Sequence, residues 1–323
     1  MKKVLITGAC GFIGSHLVEY FVAKKIKVIA YDKYNFSADT GWLENNKNIR
    51  NTKIVLGDIN DYSLTNKLIK EVDYVIHLAA LISIPYSYFS PGSYVKTNVE
   101  GTYNILESAR LNRKKVIITS TSEVYGTGIK FPMNENHPLF AQSPYAASKI
   151  AADNLTLSYY NTFNLPVKII RPFNAFGPRQ SNRAIIPTVI SQILSNRKKI
   201  KVGNIYPKRD WTYVTDLCSA FYSLYKSPRG FGKIYNVGTG KCYSVSDLLK
   251  ISQNICKTKK KILLENQRKR PTRSEVKKLL CDPRLFKKDI GWKSKINFKK
   301  GLSLTINWFK KNLNNKKSHI YQI

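Results

Sequence analysis

The chain has 323 residues, 43% of them hydrophobic, and a formal charge of +34 from 54 Lys and Arg against 20 Asp and Glu. That length suits one large α/β unit with an appended lobe, and nowhere is there an apolar run of the ~18 residues that a membrane helix needs. The basic residues are spread along the whole length rather than gathered in an arm with interleaved aromatics. An anionic small substrate is therefore the expected partner, and neither nucleic acid nor a membrane is.

The first residues, Met-Lys-Lys-Val-Leu-Ile-Thr-Gly, run straight into a strand over 3–8 and do not read as a signal peptide. A helix is predicted over 12–25, with Phe12, Ile13, Leu17, Tyr20 and Phe21 on its apolar face, and a second strand over 27–31. Short apolar runs follow at 53–56, 74–78, 116–119 and 167–170, mostly separated by helical patterns, and 234–237 rejoins them later. Alternating strands and helices predict an α/β fold with a doubly wound parallel sheet. The expected division is a nucleotide-binding part over 1–177 plus about 205–238, and a smaller substrate lobe woven from 178–204 and 239–323. The tail from Lys310 to Ile323 reads as solvated. The five Cys are scattered with no Cys-x-x-Cys, so neither disulfides nor a metal site is expected, and the cytoplasm is the expected compartment.

Two groups of residues carry chemistry. The first is Gly8-Ala-Cys-Gly11-Phe12-Ile13-Gly14, between the first strand and first helix. Gly8 permits a tight turn, Gly11 lets the backbone approach a pyrophosphate, and Gly14 allows close helix packing; the helix N-terminus offers N–H groups to phosphate. Asp32 follows at the end of the second strand, where a carboxylate accepts from both ribose hydroxyls and repels a 2′-phosphate, so NAD is expected over NADP. Asp58 and Ile59 are placed near the adenine, and Leu78, Ala79 and Ala80 beside the passing cofactor; His77 reads as a packed strand residue.

The second group is Thr121-Ser122-Glu123 with Tyr145 and Lys149. Residues four apart share a helix face, so the Lys149 ammonium is expected to lower the Tyr145 phenol pKa. A phenolate so placed can take a proton from a sugar hydroxyl while hydride leaves the same carbon. Glu123 adds a second base, which a plain dehydrogenase does not need.

At these residues the chain resembles the extended short-chain dehydrogenase/reductase family, a Rossmann-like fold. The likeness runs in order through Gly8–Gly14, Asp32, His77–Ala80, Thr121–Gly126, Tyr145/Lys149, Arg171-Pro-Phe-Asn174, Gly177-Pro-Arg-Gln180, Arg209-Asp-Trp-Thr-Tyr-Val214 and Ile290-Gly-Trp292. Within it the chain is similar to nucleotide-sugar 4,6-dehydratases. Ser-Thr-Ser-Glu-Val-Tyr-Gly over 120–126 matches the Thr-Ser-Glu form of GDP-mannose 4,6-dehydratases rather than the Thr-Asp-Glu of dTDP-glucose enzymes. A finer likeness, to the GDP-N-acetylglucosamine 4,6-dehydratases of legionaminic acid biosynthesis, rests on Ser83–Ser87, Ser143–Asp153 and Arg270–Val276.

The resemblance implies hydride transfer from C4 to NAD with Tyr145 as base, Thr121 bonding the hydroxyl and Lys149 gripping the nicotinamide ribose. Glu123 would then take the C5 proton as water leaves C6, and hydride would return to C6. It also implies that Ser83, Asn174, Arg179, Arg209 and Arg270 hold the substrate, with Arg183 and Arg273 as further candidates. A homodimer pairing the Tyr145 helix with a helix over 96–111 is implied as well. UDP-glucuronate decarboxylases share Thr-Ser-Glu-Val-Tyr-Gly, but their Tyr-Asp-Glu-Gly-Lys pattern is missing here. A 4-epimerase of this fold would leave Glu123 idle. A cofactor- or RNA-binding protein without turnover is the alternative from another class.

Overall fold

The computed structural model describes residues 2–44, 46–50 and 52–312. Its strands are β1 (Lys3–Thr7), β2 (Lys27–Lys33), β3 (Lys53–Gly57), β4 (Tyr74–His77), β5 (Lys115–Thr119), β6 (Val167–Pro172), β7 (Asn174–Phe176), β8 (Lys199–Val202), β9 (Lys208–Arg209), β10 (Trp211–Tyr213), β11 (Ile234–Val237), β12 (Tyr243–Ser244), β13 (Lys261–Leu264) and β14 (Lys278–Leu279). The helices are α1 (Phe12–Ala23), α2 (Tyr62–Lys70), α3 (Ile84–Phe89), α4 (Pro91–Tyr94), α5 (Gly101–Leu111), α6 (Pro144–Phe163), α7 (Ile185–Leu194), α8 (Val214–Lys226), α9 (Val245–Ile255), α10 (Arg284–Ile290) and α11 (Phe298–Asn312).

Seven strands form one parallel sheet in the order β11-β6-β5-β4-β1-β2-β3. The order reverses between β1 and β4, which opens a crevice at the carboxyl ends of the strands. Successive side chains of β1 go to opposite faces: Val4 and Ile6 pack with Leu17, Phe21 and Phe221 of α1 and α8, whereas Leu5 packs with Leu68, Ile105 and Tyr159 of α2, α5 and α6. Burial on both sides explains why these strands read as unbroken apolar runs. Each such Leu or Ile contributes about 1.5–3 kcal/mol by leaving water.

α6 is the longest helix among the described residues and begins at the sheet's carboxyl edge. Ser143 caps it by accepting from the Ala146 N–H at 3.1 Å, Pro144 occupies its first position, and Asn164 in the left-handed region ends it. The second lobe is built on α7, α9 and α11, around Ile190, Leu248, Leu302 and Phe309. Trp211, Phe298 and Tyr243 form a stack there, with ring centres 4.9 and 4.6 Å apart. Residues 205–213, expected with the nucleotide-binding part, contribute Ile205, Trp211 and Tyr213 to this cluster; their strands pair with β7, β12 and β14 instead of the large sheet.

Local differences from expectation are small. α1 stops at Ala23, and β2 continues past Asp32 to Lys33. The helix expected over 96–111 is a π-helical turn, Val95–Glu100, leading into α5. Lys310–Asn312 close α11, and the rest of the tail lies outside the described residues. No helix among the described residues is long and apolar enough to cross a membrane.

His77 sits at the end of β4, fully buried, with ring nitrogens 2.8 Å from Thr7 Oγ1 and 3.3 Å from Thr102 Oγ1. Burial, then the nearby Lys149 ammonium, push its pKa down to about 3. His16 on α1 is pushed down to about 4, by burial and then by Arg179. Both are neutral in the fold and gain protons more readily once unfolded. Stability should therefore fall as pH drops below ~6.5, by up to ~1.4 kcal/mol per pH unit for His77. Urea midpoints measured from neutral pH down to ~4.5 should show this slope, and His77→Gln should flatten it. An unchanged slope in that variant would assign the loss to other groups.

Candidate active site

The turn from β1 into α1 is held by contacts that exclude side chains. Gly8 has φ +67°, and a Cβ on it would lie 2.8 Å from the Ala79 nitrogen; one on Gly14 would lie 2.0 Å from the Gly8 oxygen. Gly11 occupies the N-cap of α1 with no side-chain cap, so the first-turn N–H groups face the crevice. Asp32 spans the turn, accepting from the Cys10 N–H at 2.5 Å and the Lys33 N–H at 2.7 Å. Thr7 Oγ1 accepts from the N–H groups of Leu78 and Ala79 at 3.2 and 3.1 Å and so tethers the end of β4. Asp58 accepts from Asn60, and its main-chain oxygen from the Tyr31 hydroxyl at 2.7 Å. The Cys10 thiol is pushed up to about 12 by burial and then by Asp32, so it stays protonated.

β5 delivers the reactive groups. Just beyond it Thr121 Oγ1 accepts from the Glu123 N–H at 3.2 Å and caps a 3₁₀ turn, Ser122–Tyr125. Tyr145 lies in the first turn of α6, buried, with the Thr121 hydroxyl near enough to act on its phenol and its ring 6.2 Å from that of Tyr94. One turn further, the buried Lys149 ammonium donates to the Thr119 carbonyl at 2.6 Å. This corrects the expected electrostatics. Burial holds the Tyr145 phenol above its ordinary pKa; the Thr121 hydroxyl opposes this and the Glu123 charge adds to it. Lys149 is itself lowered by burial, against the pull of Asp153. Desolvation dominates both shifts because both groups sit well below the surface.

Beneath them lies a buried polar chain. Asp153, a further turn along the same face of α6, accepts from Ser120 Oγ at 2.7 Å and Arg171 Nε at 3.0 Å. Arg171, 1% exposed, also donates to the Tyr125 hydroxyl at 3.0 Å, which donates to Asn236 Oδ1 at 2.8 Å.

Most of these groups, with Ser120 of the buried chain, line one cavity of about 1090 Å³. A single-ligand site spans roughly 300–1,000 Å³, so this space suits two ligands meeting end to end. Gly8, Gly11, Phe12, Ile13, Gly14, Asp32, Asp58, Ile59, Leu78, Ala79 and Ala80 line one end; Thr121, Glu123, Tyr145 and Lys149 line the middle; Ser83, Asn174 and Arg270 line the other end. The glycine cradle, the uncapped helix start and the Asp32 carboxylate fit a dinucleotide. Asn174 Oδ1, Gln180 Oε1 and Arg270 Nη1 are buried without hydrogen-bond partners, and Arg270 lies 4.0 Å from Glu275. Such groups suit a polar ligand.

Two expected substrate ligands lie elsewhere. Arg179 has φ +68° and turns back onto α1, donating to Glu19 at 2.7 Å and Ser15 at 3.2 Å. Arg209 is buried behind the wall, donating to the Val276 carbonyl at 2.8 Å, with Nε 4.0 Å from Glu123 Oε1 and Nη2 3.7 Å from Glu275. Neither lines the cavity, because local carboxylates and carbonyls take the guanidinium first. Arg183 does line it, as do Ser122 and Gln180 of the motifs quoted above and Lys201, which sequence patterns did not single out. Among the described residues, no cluster of His, Cys, Asp and Glu could hold a metal ion.

Fold and cavity together define an extended short-chain dehydrogenase/reductase. A family model described as GDP-mannose 4,6 dehydratase matches residues 5–305, and the chain belongs to that family. It is 33% identical over 327 residues to the dTDP-D-glucose 4,6-dehydratase of Homo sapiens, covering 98% of this chain and 92% of that one. Its structure is similar to UDP-glucose 4-epimerase of Thermotoga maritima with UDP-glucose, at TM-score 0.87 and 28% identity over 97% and 100% of the two chains. It is also similar to dTDP-glucose 4,6-dehydratase of Streptomyces venezuelae with NAD, at TM-score 0.86 and 27% identity over 96% and 97%. NAD in that relative agrees with the cofactor expected from the glycine turn.

The Asp153–Arg171 pair can be tested directly. Removing one partner leaves a buried charge, so Asp153→Asn and Arg171→Met should each cost about 3–5 kcal/mol in denaturant unfolding. The double variant should cost clearly less than the sum, since the residues share one network. Additive losses would mean that the pair is not coupled.

Proposed function

We propose that the protein is an NAD-dependent nucleotide-sugar 4,6-dehydratase acting on GDP-N-acetylglucosamine. The observation that carries this is the presence of Glu123 beside Tyr145 on one cavity wall, close enough for its charge to raise the phenol pKa. A 4-epimerase needs the Tyr145–Thr121 pair but has no proton for Glu123 to take. The substrate assignment is supported by the Ser83–Ser87 and Arg270–Val276 likeness and by where those stretches lie. Leu81, Ile82, Ile84 and Pro85 form an apolar wall near Ser83 that suits an acetamido methyl, and Arg183 and Arg270 suit a diphosphate. The chain is proposed to work as a cytoplasmic homodimer; Tyr103 on α5 and Phe163 on α6 are exposed apolar residues where such a pairing would bury area.

Bound NAD supplies a hydride acceptor first and a donor at the end. The residues of the chain manage the protons. Tyr145 Oη takes the proton of the sugar 4-hydroxyl while Thr121 Oγ1 bonds the same oxygen. The ketone at C4 acidifies the C5 proton, and Glu123 removes it. Ser122, beside Glu123 with a hydroxyl in place of a carboxylate, leaves Glu123 or a relayed water to protonate the departing C6 oxygen, and a proton returns to C5 as hydride adds to C6. Arg209 steadies Glu123 from behind at 4.0 Å.

Incubation with GDP-N-acetylglucosamine, UDP-N-acetylglucosamine, GDP-mannose, dTDP-glucose and UDP-glucuronate tests the reading. Water loss with a 4-keto product from the first is expected. An isobaric product would make the protein an epimerase, and loss of carbon dioxide from UDP-glucuronate a decarboxylase. Tyr145→Phe should lower kcat by ~10²–10⁴-fold. Glu123→Gln should retain C4 oxidation yet lose solvent-deuterium exchange at C5. Parental exchange in that variant would remove Glu123 as the base.

A further inference from the structure

Residues 35–44 form the part of the cavity wall nearest the glycine turn: Asn35, Asp39 and Gly41 line it together with Gly8, Gly11 and Asp32. The stretch is braced within itself. Asn35 and Asp39 exchange two hydrogen bonds, at 2.9 and 3.0 Å, and Asp39 accepts from the Gly41 N–H at 2.5 Å. It is also pressed onto the glycine turn. Gly41 has φ +56°, a Cβ there would lie 2.8 Å from the Cys10 oxygen, and the Trp42 N–H donates to that oxygen at 3.2 Å. Leu43 anchors the stretch from below in the core under α1.

From outside, the other lobe reaches it through an aromatic contact. The Trp42 ring meets the Trp308 ring edge-on, centres 5.5 Å apart. Trp308 lies on α11, whose Leu302, Ile306 and Phe309 are buried in the core of the second lobe. The helix is thus fixed independently of the stretch it touches. Raising residues 35–44 away from the glycine turn would break the ring contact and the Trp42–Cys10 bond together.

We propose that the Trp42–Trp308 contact is a latch that holds residues 35–44 against the glycine turn and slows the release of bound NAD. This rests on the proposed NAD-dependent activity and extends it. A cofactor that is reduced and reoxidised within one turnover must outlast that turnover in place, and an enzyme that lost it midway would stall. Trp42 and Trp308 are positioning residues on this view and touch no reacting atom.

The test measures NAD itself and not turnover. NAD-loaded protein is diluted into an NAD-hydrolysing enzyme, which prevents rebinding, and the bound fraction is followed with time. Trp42→Ala and Trp308→Ala should each release NAD roughly three- to tenfold faster, as an edge-on aromatic pair would imply. The double variant should be little faster than either alone. Trp308→Phe should restore slow release, and Leu304→Ala, an equally placed apolar loss on α11 at 41% exposure, should match the parent. Trp42 is 43% exposed, so its truncation removes the contact without opening a core. Parental release from both Ala variants, or equal acceleration by Leu304→Ala, would overturn the latch and leave the proposed activity standing. Failure of the parent protein to take up NAD would overturn both.

Discussion

The active site depends on one face of α6, where Tyr145, Lys149 and Asp153 follow one another at helical spacing into the interior. Burying an ammonium there is costly unless partners are already in place. The Thr119 carbonyl supplies one at 2.6 Å, and Asp153 supplies a compensating charge. Asp153 in turn would be intolerable alone, and Arg171 on the neighbouring β6 neutralises it. The carboxyl edge of the sheet thus fixes the helix through charges, and the same bonds set where the phenol can stand. Thr121 and Glu123 need no separate scaffold, because the 3₁₀ turn that holds them leaves the strand bearing that carbonyl.

Much of this was legible beforehand because it is local. The glycine spacing, the Asp32 carboxylate and the Tyr145–Lys149 interval are each written within one turn or one helix, and the structure places every one of them on the cavity. What did not read from the chain depends on long-range competition. Arg179 and Arg209 look like phosphate ligands when only their neighbours are seen. Glu19, 160 positions from Arg179, claims the first. The Val276 carbonyl, 67 positions from Arg209, claims the second. The Tyr145 phenol failed in the same way: helical spacing shows that a cation is near, but only the packed structure shows how much water has been removed. Residues 205–213 are a further instance, since two short strands carry no period that assigns them to one sheet rather than another.

The positive charge of the chain takes a definite form around the cavity. Arg183, Lys201, Lys269 and Arg270 line the end away from the glycine turn, whereas Asp32, Asp39 and Asp58, with Lys33 alone beside them, line the end near it. The two ends therefore differ in sign. A ribose with bare hydroxyls is welcome at the acidic end, and one bearing a phosphate is repelled there. A diphosphate is attracted to the basic end. On the proposed reading, one cavity takes two nucleotides in a fixed order, with their reactive parts meeting between Tyr145 and Glu123.

That order gives the high phenol pKa a meaning. A buried phenol beside a carboxylate is a poor base in isolation, and its proton is held by desolvation more than by any bond. Moving the proton off Tyr145 becomes easier when positive charge enters the same space. A cationic nicotinamide arriving at the middle of the cavity would favour the phenolate. Base strength would then be tied to cofactor occupancy. A protein built this way gains from keeping its dinucleotide in place, because each loss would return Tyr145 to its inert, protonated form.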